Sequence, residues 1–229
     1  MIKHLACIMD GNRRWAQARG FLPWYGHRSG IEAMYRVVDF CLEKQIQYLS
    51  LFAFAIQNFK RSAQETHFLF ELFEKEAQSM KKELKDKNIR IRFIGDRALF
   101  PTHLQILCTQ LEKETDHHTG LVVNILFCYG GQEEIIAAVK NIAEKVKSGV
   151  LDEQFLTFEN LRQALWLGDI PEPELIIRTG HVKRLSNFLL FQAAYSELYF
   201  AECLWPDITK NHLQEAVAYF EMCQRNFGV

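Results

Sequence analysis

Asp10-Gly11-Asn12-Arg13-Arg14-Trp15 sets a carboxylate, a glycine turn and two guanidinium groups directly after the apolar run Leu5-Ala6-Cys7-Ile8-Met9. A carboxylate so placed can hold Mg²⁺, and arginines with the free N–H groups of a helix start hold phosphate oxygens. An ordinary Asp-Gly turn with solvated arginines is the plain alternative for this segment taken alone. A second set comes late in the chain. Arg178-Thr179-Gly180-His181-Val182-Lys183-Arg184-Leu185-Ser186-Asn187 lies between the apolar Leu175-Ile176-Ile177 and Phe188-Leu189-Leu190-Phe191. Arg178 and Arg184 can grip a diphosphate bidentately, with Ser186 donating beside them. The apolar flanks count against a merely solvated charge run. Gly26-His27-Arg28 lies in the loop expected to lead into a helix at Ile31, and a histidine at such a helix entry can donate to a phosphate or simply cap a surface turn.

These residues need elements to position them. Five apolar residues ending in Asp-Gly read as a buried strand feeding a helix. Ile31, Met34, Val37, Val38, Cys41 and Leu42 recur at helical spacing, and Tyr48–Phe54 reads as a second strand leading into Ala55-Ile56-Gln57-Asn58-Phe59-Lys60-Arg61. A long helix is expected from Ala63 to about Asp86, with Phe68, Leu69, Phe70, Leu72 and Phe73 on more than one face. Ile89–Ile94 and Leu121–Phe127 are the next strands, ending in Gly95-Asp96 and Tyr129-Gly130-Gly131. The helix after Gly131 opens with Glu133 and Glu134 and ends with Lys145 and Lys147, which suits its dipole. Its Ile135, Ile136, Val139, Ile142 and Val146 are expected on one face. Leu175–Ile177 and Glu197–Phe200 complete the strands, and a last helix runs from about Asn211 to Arg225 with Leu213, Ala216, Val217 and Phe220 facing in.

Alternating strands and helices imply an α/β fold: one domain over 1–229, with a mostly parallel central sheet covered by helices on both faces. Asp10, Asn58 with Arg61, Asp96, Gly130-Gly131 and Arg178 then fall just past strands, on the one edge where such sheets bind ligands. Several cations, a carboxylate and glycine turns on one edge suit an anionic substrate.

Composition narrows the class. Lys+Arg (27) nearly balances Asp+Glu (28), so no basic field argues for nucleic acid. Eighteen phenylalanines fill a core or line an apolar cavity. The six cysteines are scattered among apolar neighbours, without C-x-x-C spacing, as free thiols in a reducing cytoplasm are. The short apolar run before Asp10 is no signal peptide, and no uncharged run is long enough to span a bilayer. P-loop, dinucleotide, nucleophile-elbow and zinc-protease motifs are all absent, and His117-His118 is a weak metal candidate.

The chain resembles the cis-prenyltransferases, specifically the bacterial undecaprenyl diphosphate synthases. The resemblance is carried by Met9-Asp10-Gly11-Asn12 with Arg14-Trp15-Ala16, Gly26-His27, Ala53-Phe54 with Asn58 and Arg61, and Ile94-Gly95-Asp96. It continues through Tyr129-Gly130-Gly131, Ile177-Arg178-Thr179-Gly180 and the run from Arg184 through Glu197-Leu198-Tyr199-Phe200 to Leu204-Trp205-Pro206-Asp207. These segments occur in the family's order and cover nearly the whole chain.

The resemblance implies a homodimeric fold with a hydrophobic tunnel. It implies condensation of isopentenyl diphosphate units onto an allylic diphosphate primer, usually farnesyl diphosphate, and transient contact with a membrane surface for product release. By the same resemblance Asp10 is the catalytic carboxylate and, with Glu197, a Mg²⁺ ligand. Gly11, Asn12, Arg13 and Arg14 with His27 hold the allylic diphosphate; Arg178, Arg184 and Ser186 hold the isopentenyl diphosphate. Asn58 lies near the reacting carbons and assists proton removal, while Trp15, Phe59 and Arg61 support the site. Helix faces from Ile31 to Leu42 and from Phe68 to Phe73 are candidate tunnel walls.

The chain departs from the pattern at several positions. Arg13 stands where glycine is common and Pro23 where an arginine helps bind the primer, so Arg13 is expected to replace the lost cation. Ala55-Ile56-Gln57 replaces a segment that usually carries a hydroxyl and a glutamate, and Phe59 replaces a tryptophan. Cys128, Gln132, His181 and Val182 replace asparagine, arginine, glycine and glutamate. Three other readings compete: a synthase of shorter products, a catalytically silent partner subunit, and a phosphate-binding hydrolase. Retention of Asp10 and both cationic sets argues against the silent subunit.

Overall fold

Strand β1 (His4–Ile8) is buried along its whole length, with Leu5 and Cys7 in one core and Ala6 and Ile8 in the other. A strand covered on both faces reads as a continuous apolar run, because neither face meets water. In the computed structural model of the protein, which describes residues 2–223, it lies inside a six-stranded sheet. The other strands are β2 (Tyr48–Ala55), β3 (Arg90–Ile94), β4 (Val122–Tyr129), β5 (Leu175–Arg178) and β6 (Glu197–Phe200). Their order is β3-β4-β2-β1-β5-β6 and every neighbouring pair is parallel.

Among the described residues eight helices flank them: α1 (Asn12–Ala18), α2 (Tyr25–Glu43), α3 (Ala63–Ser79), α4 (Lys81–Asp86), α5 (Thr102–Thr115), α6 (Gly131–Lys147), α7 (Phe158–Ala164) and α8 (Lys210–Met222). The larger core draws Val37 and Cys41 from α2, Leu69 from α3, Leu104 and Leu111 from α5, and Leu213 and Ala216 from α8. On the opposite face Ala6, Ile8, Leu126 and Ile176 meet Leu167, Ile170, Phe188 and Leu189.

Three expectations are corrected. The long helix after Ala63 is two, because at Met80 ψ relaxes to −11° between α3 and α4. α2 begins at Tyr25, earlier than the apolar period alone marks. Ile136 and Val139 are 55% and 49% exposed; the buried stripe of α6 is Glu134, Ala138 and Ile142. Glu134 can take the inward position because Tyr129 Oη donates to it at 2.5 Å and Gln192 Nε2 at 3.1 Å, so the carboxylate is not left unpaired. The end expected for the last helix lies outside the described residues. Five cysteines are buried, and burial pushes the Cys7, Cys108 and Cys128 thiols up to about 12, which keeps them as inert core groups. Among the described residues no helix is long and apolar enough to cross a membrane.

Candidate active site

Ile8 of β1 is in register with Phe52 of β2 and with Arg178 of β5, so the residues after these strands meet at the carboxyl edge of the sheet. Asp10 lies there with both carboxylate oxygens held. Arg14 Nη2 donates to Oδ1 at 3.1 Å, and Arg178 Nη2 donates to Oδ2 at 2.9 Å. The Asp10 carbonyl accepts from the Thr179 hydroxyl at 2.7 Å and from the Trp205 N–H at 3.0 Å, which pins the backbone independently of the carboxylate. Two glycines make this approach possible. Gly11 has φ +111°, and a Cβ there would stand 3.1 Å from the Leu204 Cα; at Gly180, with φ +90°, a Cβ would stand 2.8 Å from the Asp10 Cγ.

The Arg178 side chain is only 5% exposed. Besides Asp10 it donates to Ser186 Oγ at 2.8 Å and to the Arg184 carbonyl. Ser186, Asn187 and Leu189 all have positive φ, at 54°, 66° and 42°, a run that side chains resist. Asn187 holds it in place. Its carbonyl accepts from Gly131 N–H, its amide oxygen accepts from Gln132 N–H and its amide nitrogen donates to Glu133, each at 2.8 Å. The first turn of α6 thereby anchors the loop that carries Ser186.

A second charged group gathers around Glu65, which is 4% exposed. Arg61 Nη1 donates to it at 3.1 Å, Arg13 Nε lies at 3.7 Å and His27 Nε2 at 4.0 Å. Burial, Arg61 and Arg13 push the His27 imidazole down to about 3; it is neutral at physiological pH, so its approach to Glu65 is not an ion pair. Its Nε2 has no hydrogen-bond partner. Sequence reasoning missed Glu65, although Ser62-Ala63-Gln64-Glu65 has capping-box spacing. The Ser62 hydroxyl indeed accepts from the Glu65 N–H at 3.2 Å.

His4 behaves like His27. Enclosed between Pro171 O and Ser50 Oγ, it is pushed by burial down to about 4. Both imidazoles stay neutral in the folded chain but charge below about 6.5 when it unfolds. Stability is therefore full above that pH and falls as pH drops toward 4. At pH 5.5 the two together cost about 3 kcal/mol, at roughly 1.4 kcal/mol per tenfold protonation difference. Urea midpoints at pH 7.5 and 5.5 check this, and His27→Gln should remove about half of the difference. Equal midpoints would rule it out.

Asp10, Asn12, His27, Asn58, Arg61, Arg178 and Ser186 line one cavity of about 510 Å³. Its walls are Ile31 and Met34 of α2, Leu69, Leu72 and Phe73 of α3, and Phe54, Phe93, Ile125 and Phe127 of the sheet. Phe73 stacks on Phe127 with centroids 4.1 Å apart. Leu72 and Phe73 are only half-buried, since the helix divides its apolar residues between core and cavity. A polar mouth over an apolar interior suits an amphiphile with an anionic head.

The remaining candidates fall around this cavity or away from it. Phe59, 40% exposed, packs on Phe54 with ring centroids 5.1 Å apart. Arg184 is exposed and supplies its carbonyl to Arg178. Trp15 turns elsewhere: its indole N–H donates to Asp207 at 2.7 Å, with the Arg19 guanidinium 4.1 Å from the ring centroid. Glu197 is also not brought to Asp10. It starts β6 in register with Leu175, which pairs with Leu5, so it stands at the opposite edge of the sheet from the residues after Ile8. Strand polarity separates the two carboxylates expected to share a metal.

The family model of undecaprenyl diphosphate synthases matches residues 8–228. The chain belongs to the undecaprenyl diphosphate synthase family. Membership makes it a transferase of prenyl groups. The Coxiella burnetii ditrans,polycis-undecaprenyl-diphosphate synthase, described as specific for (2E,6E)-farnesyl diphosphate, is 39% identical over 99% of this chain and 96% of its own. An isoprenyl transferase of Campylobacter jejuni is 40% identical over 99% of this chain and 98% of its own. The crystal structure of lavandulyl diphosphate synthase from Lavandula x intermedia in complex with dimethylallyl diphosphate superposes with a TM-score of 0.96. It is 33% identical and covers 100% of this chain and 98% of that one. A Campylobacter jejuni structure described as a probable undecaprenyl diphosphate synthase has a TM-score of 0.82 at 36% identity, covering 100% of this chain and 99% of that one. This family member thus shares the parallel sheet with its relatives from end to end.

Proposed function

We propose that the chain condenses isopentenyl diphosphate units onto an allylic diphosphate, farnesyl diphosphate by preference, to form undecaprenyl diphosphate as a carrier lipid for cell-wall polysaccharides. One observation carries this reading: a carboxylate gripped by two arginines at the mouth of an apolar cavity. In each cycle the allylic C–O bond breaks, the isopentenyl double bond attacks the freed carbon and a proton is lost. Arg14, His27 and the uncapped first turn of α1 hold the primer's diphosphate. Arg178, Arg184 and Ser186 hold that of the isopentenyl unit. Holding the two heads apart while their tails meet supplies much of the acceleration.

Asn58 orients the reacting chain and does not act as a base. Its amide oxygen is committed to the Ala55 N–H at 3.0 Å, and an amide has no useful basicity. In this reading the proton leaves to a diphosphate oxygen of the bound substrates.

Mg²⁺ fits the donor set. No group of three or more His, Cys, Asp or Glu gathers among the described residues, yet this ion is commonly held by one or two carboxylates together with substrate phosphates. Asp10 and the diphosphate oxygens would hold it, and it would neutralise charge developing on the leaving group. The homodimer, the cytoplasmic location and the transient membrane contact belong to the same reading. Exposed Phe21, Leu22 and Tyr25 before and at the start of α2 are side chains a lipid surface would cover.

Arg13 supports the expectation that it stands in for the cation missing at Pro23, since it lies beside Glu65 and His27. Arg13→Gly should raise the Michaelis constant for the primer about tenfold, roughly 1.4 kcal/mol, with that for isopentenyl diphosphate within twofold. Initial rates with each substrate varied in turn check this, and an unchanged primer constant would sink it. A shorter product is the second reading, favoured by the likeness to lavandulyl diphosphate synthase. Purified protein with farnesyl diphosphate, labelled isopentenyl diphosphate and Mg²⁺, with and without EDTA, decides between them. An EDTA-sensitive ladder ending at about eleven units supports the proposal; an early end supports the shorter product, and no incorporation by folded protein overturns both.

A further inference from the structure

Gly130 has φ −157° and ψ 135°, an extended backbone open to any residue, so its conformation does not call for glycine. Space does. A Cβ at Gly130 would stand 2.1 Å from Glu133 Oε2 and 2.7 Å from Asn187 Nδ2, the two atoms that meet there in a hydrogen bond of 2.8 Å. The turn between β4 and α6 is bare so that this bond can lie across it. Glu133 is half-buried in the first turn of α6, where the helix dipole favours a carboxylate. It also sets the orientation of the Asn187 amide. With Nδ2 on the carboxylate, Oδ1 meets the Gln132 N–H at 2.8 Å. The second oxygen, Oε1, accepts a long, weak bond from Gln57 Nε2 at 3.5 Å. One carboxylate therefore joins the loop after β5 to the segment after β2. Gln57, Asn58, Ser186 and Asn187 line the cavity, and Glu133 is not among its lining residues. Ser186 and Asn187 are consecutive at φ 54° and 66°, a strained pair that persists only while its surroundings hold it.

We propose that Glu133 is a positioning residue for isopentenyl diphosphate, acting through Asn187 and Gln57 rather than on the substrate itself. Its carboxylate clasps the strained loop to the segment that carries Asn58, which fixes the Ser186 hydroxyl relative to the reacting chain. Without the clasp the Ser186-Asn187 backbone relaxes, and the hydroxyl turns away from Arg178, which now donates to it at 2.8 Å. The inference rests on the assignment, made above, of the isopentenyl diphosphate to Arg178, Arg184 and Ser186.

Initial rates with isopentenyl diphosphate and farnesyl diphosphate varied in turn, in the presence of Mg²⁺, test this. Glu133→Ala should raise the Michaelis constant for isopentenyl diphosphate about tenfold, move that for the primer less than about twofold and lower kcat less than about threefold. Gln57→Glu sets a second carboxylate against the first. Like charges at that range repel, so the isopentenyl constant should rise about fivefold. The exchange Gln57→Glu/Glu133→Gln again places one carboxylate and one amide across the gap, and leaves an amide oxygen for Asn187. It should bring the constant back to within about twofold of wild type. General loss of packing would add in the double variant and cannot produce that rescue. The exchange also decides the matter if Glu133→Ala does not fold. An unchanged isopentenyl constant in folded Glu133→Ala, or additive losses in the exchange, overturns the positioning role alone. Wild-type protein that adds no unit overturns the substrate assignment, and this inference with it.

Discussion

Asp10→Ala should lose at least about 10³-fold in kcat while keeping its fold and its grip on both diphosphates. The loss is large because the carboxylate is the acidic group at the cavity mouth and the proposed seat of Mg²⁺. Removing a single preorganised charge-stabilising group from such a site typically costs 10²- to 10³-fold, about 3–4 kcal/mol. Withdrawing the metal's protein ligand adds to that. The fold survives because the loop is held through the Asp10 carbonyl, by Thr179 and Trp205, and neither bond involves the side chain. Arg178 keeps Ser186 and the Arg184 carbonyl, so the stability loss should be about 1–3 kcal/mol, the usual range for one lost buried partner. Diphosphate affinity should hold or tighten, since both arginines are released from their anion. Turnover with labelled isopentenyl diphosphate, calorimetric Kd values and a melting curve measure the three parts. Turnover within tenfold of wild type would remove Asp10 from the chemistry.

Arg178→Lys should cost about 10²-fold in kcat/KM, roughly 2.7 kcal/mol, through the Michaelis constant for isopentenyl diphosphate. The charge is preserved, but the geometry is not. One guanidinium spans Asp10 on one side and Ser186 with the Arg184 carbonyl on the other. An ammonium on a flexible stem is a point charge that cannot occupy both directions at once. Burial of the site keeps water from making up the difference. The primer's Michaelis constant should move less than threefold, since its diphosphate is assigned to Arg14, His27 and the start of α1. Equal rises for both substrates would show that the two cradles are not separate.

The sheet and the edge where the strands end were legible because β1, β4 and β5 are apolar runs closed by Asp, Gly or Arg, and β2 is one that leads into Asn58 and Arg61. Convergence of Asp10, Asn58 and Arg178 follows from parallel strands alone. α5 was legible too, in Pro101 followed by Leu104, Cys108, Leu111 and Thr115 at helical spacing, although it was not read. Other features lay outside any local pattern. Glu134 faces the core of a helix whose Ile136 and Val139 face water, because Tyr129 and Gln192 happen to reach it. Trp15 follows the site motif directly yet serves Asp207, almost two hundred residues away. Glu197 shows the limit of a motif most clearly. A sequence match places a residue on a strand, but the strand's direction decides which edge it occupies.

β1 leaves the ribosome long before one of its two neighbours, β5. Leu5 pairs with Leu49 on one side and with Leu175 on the other. Translation at about 5–20 residues per second therefore leaves that second edge open for on the order of ten seconds. An unpaired apolar strand is a template for association with other chains. During that interval Asp10 also lacks Arg178, so the nascent polypeptide carries half of a reaction centre and a sticky margin together. Solubility in the cell should accordingly depend on elongation speed and on chaperones that cover β1, more than on the finished fold.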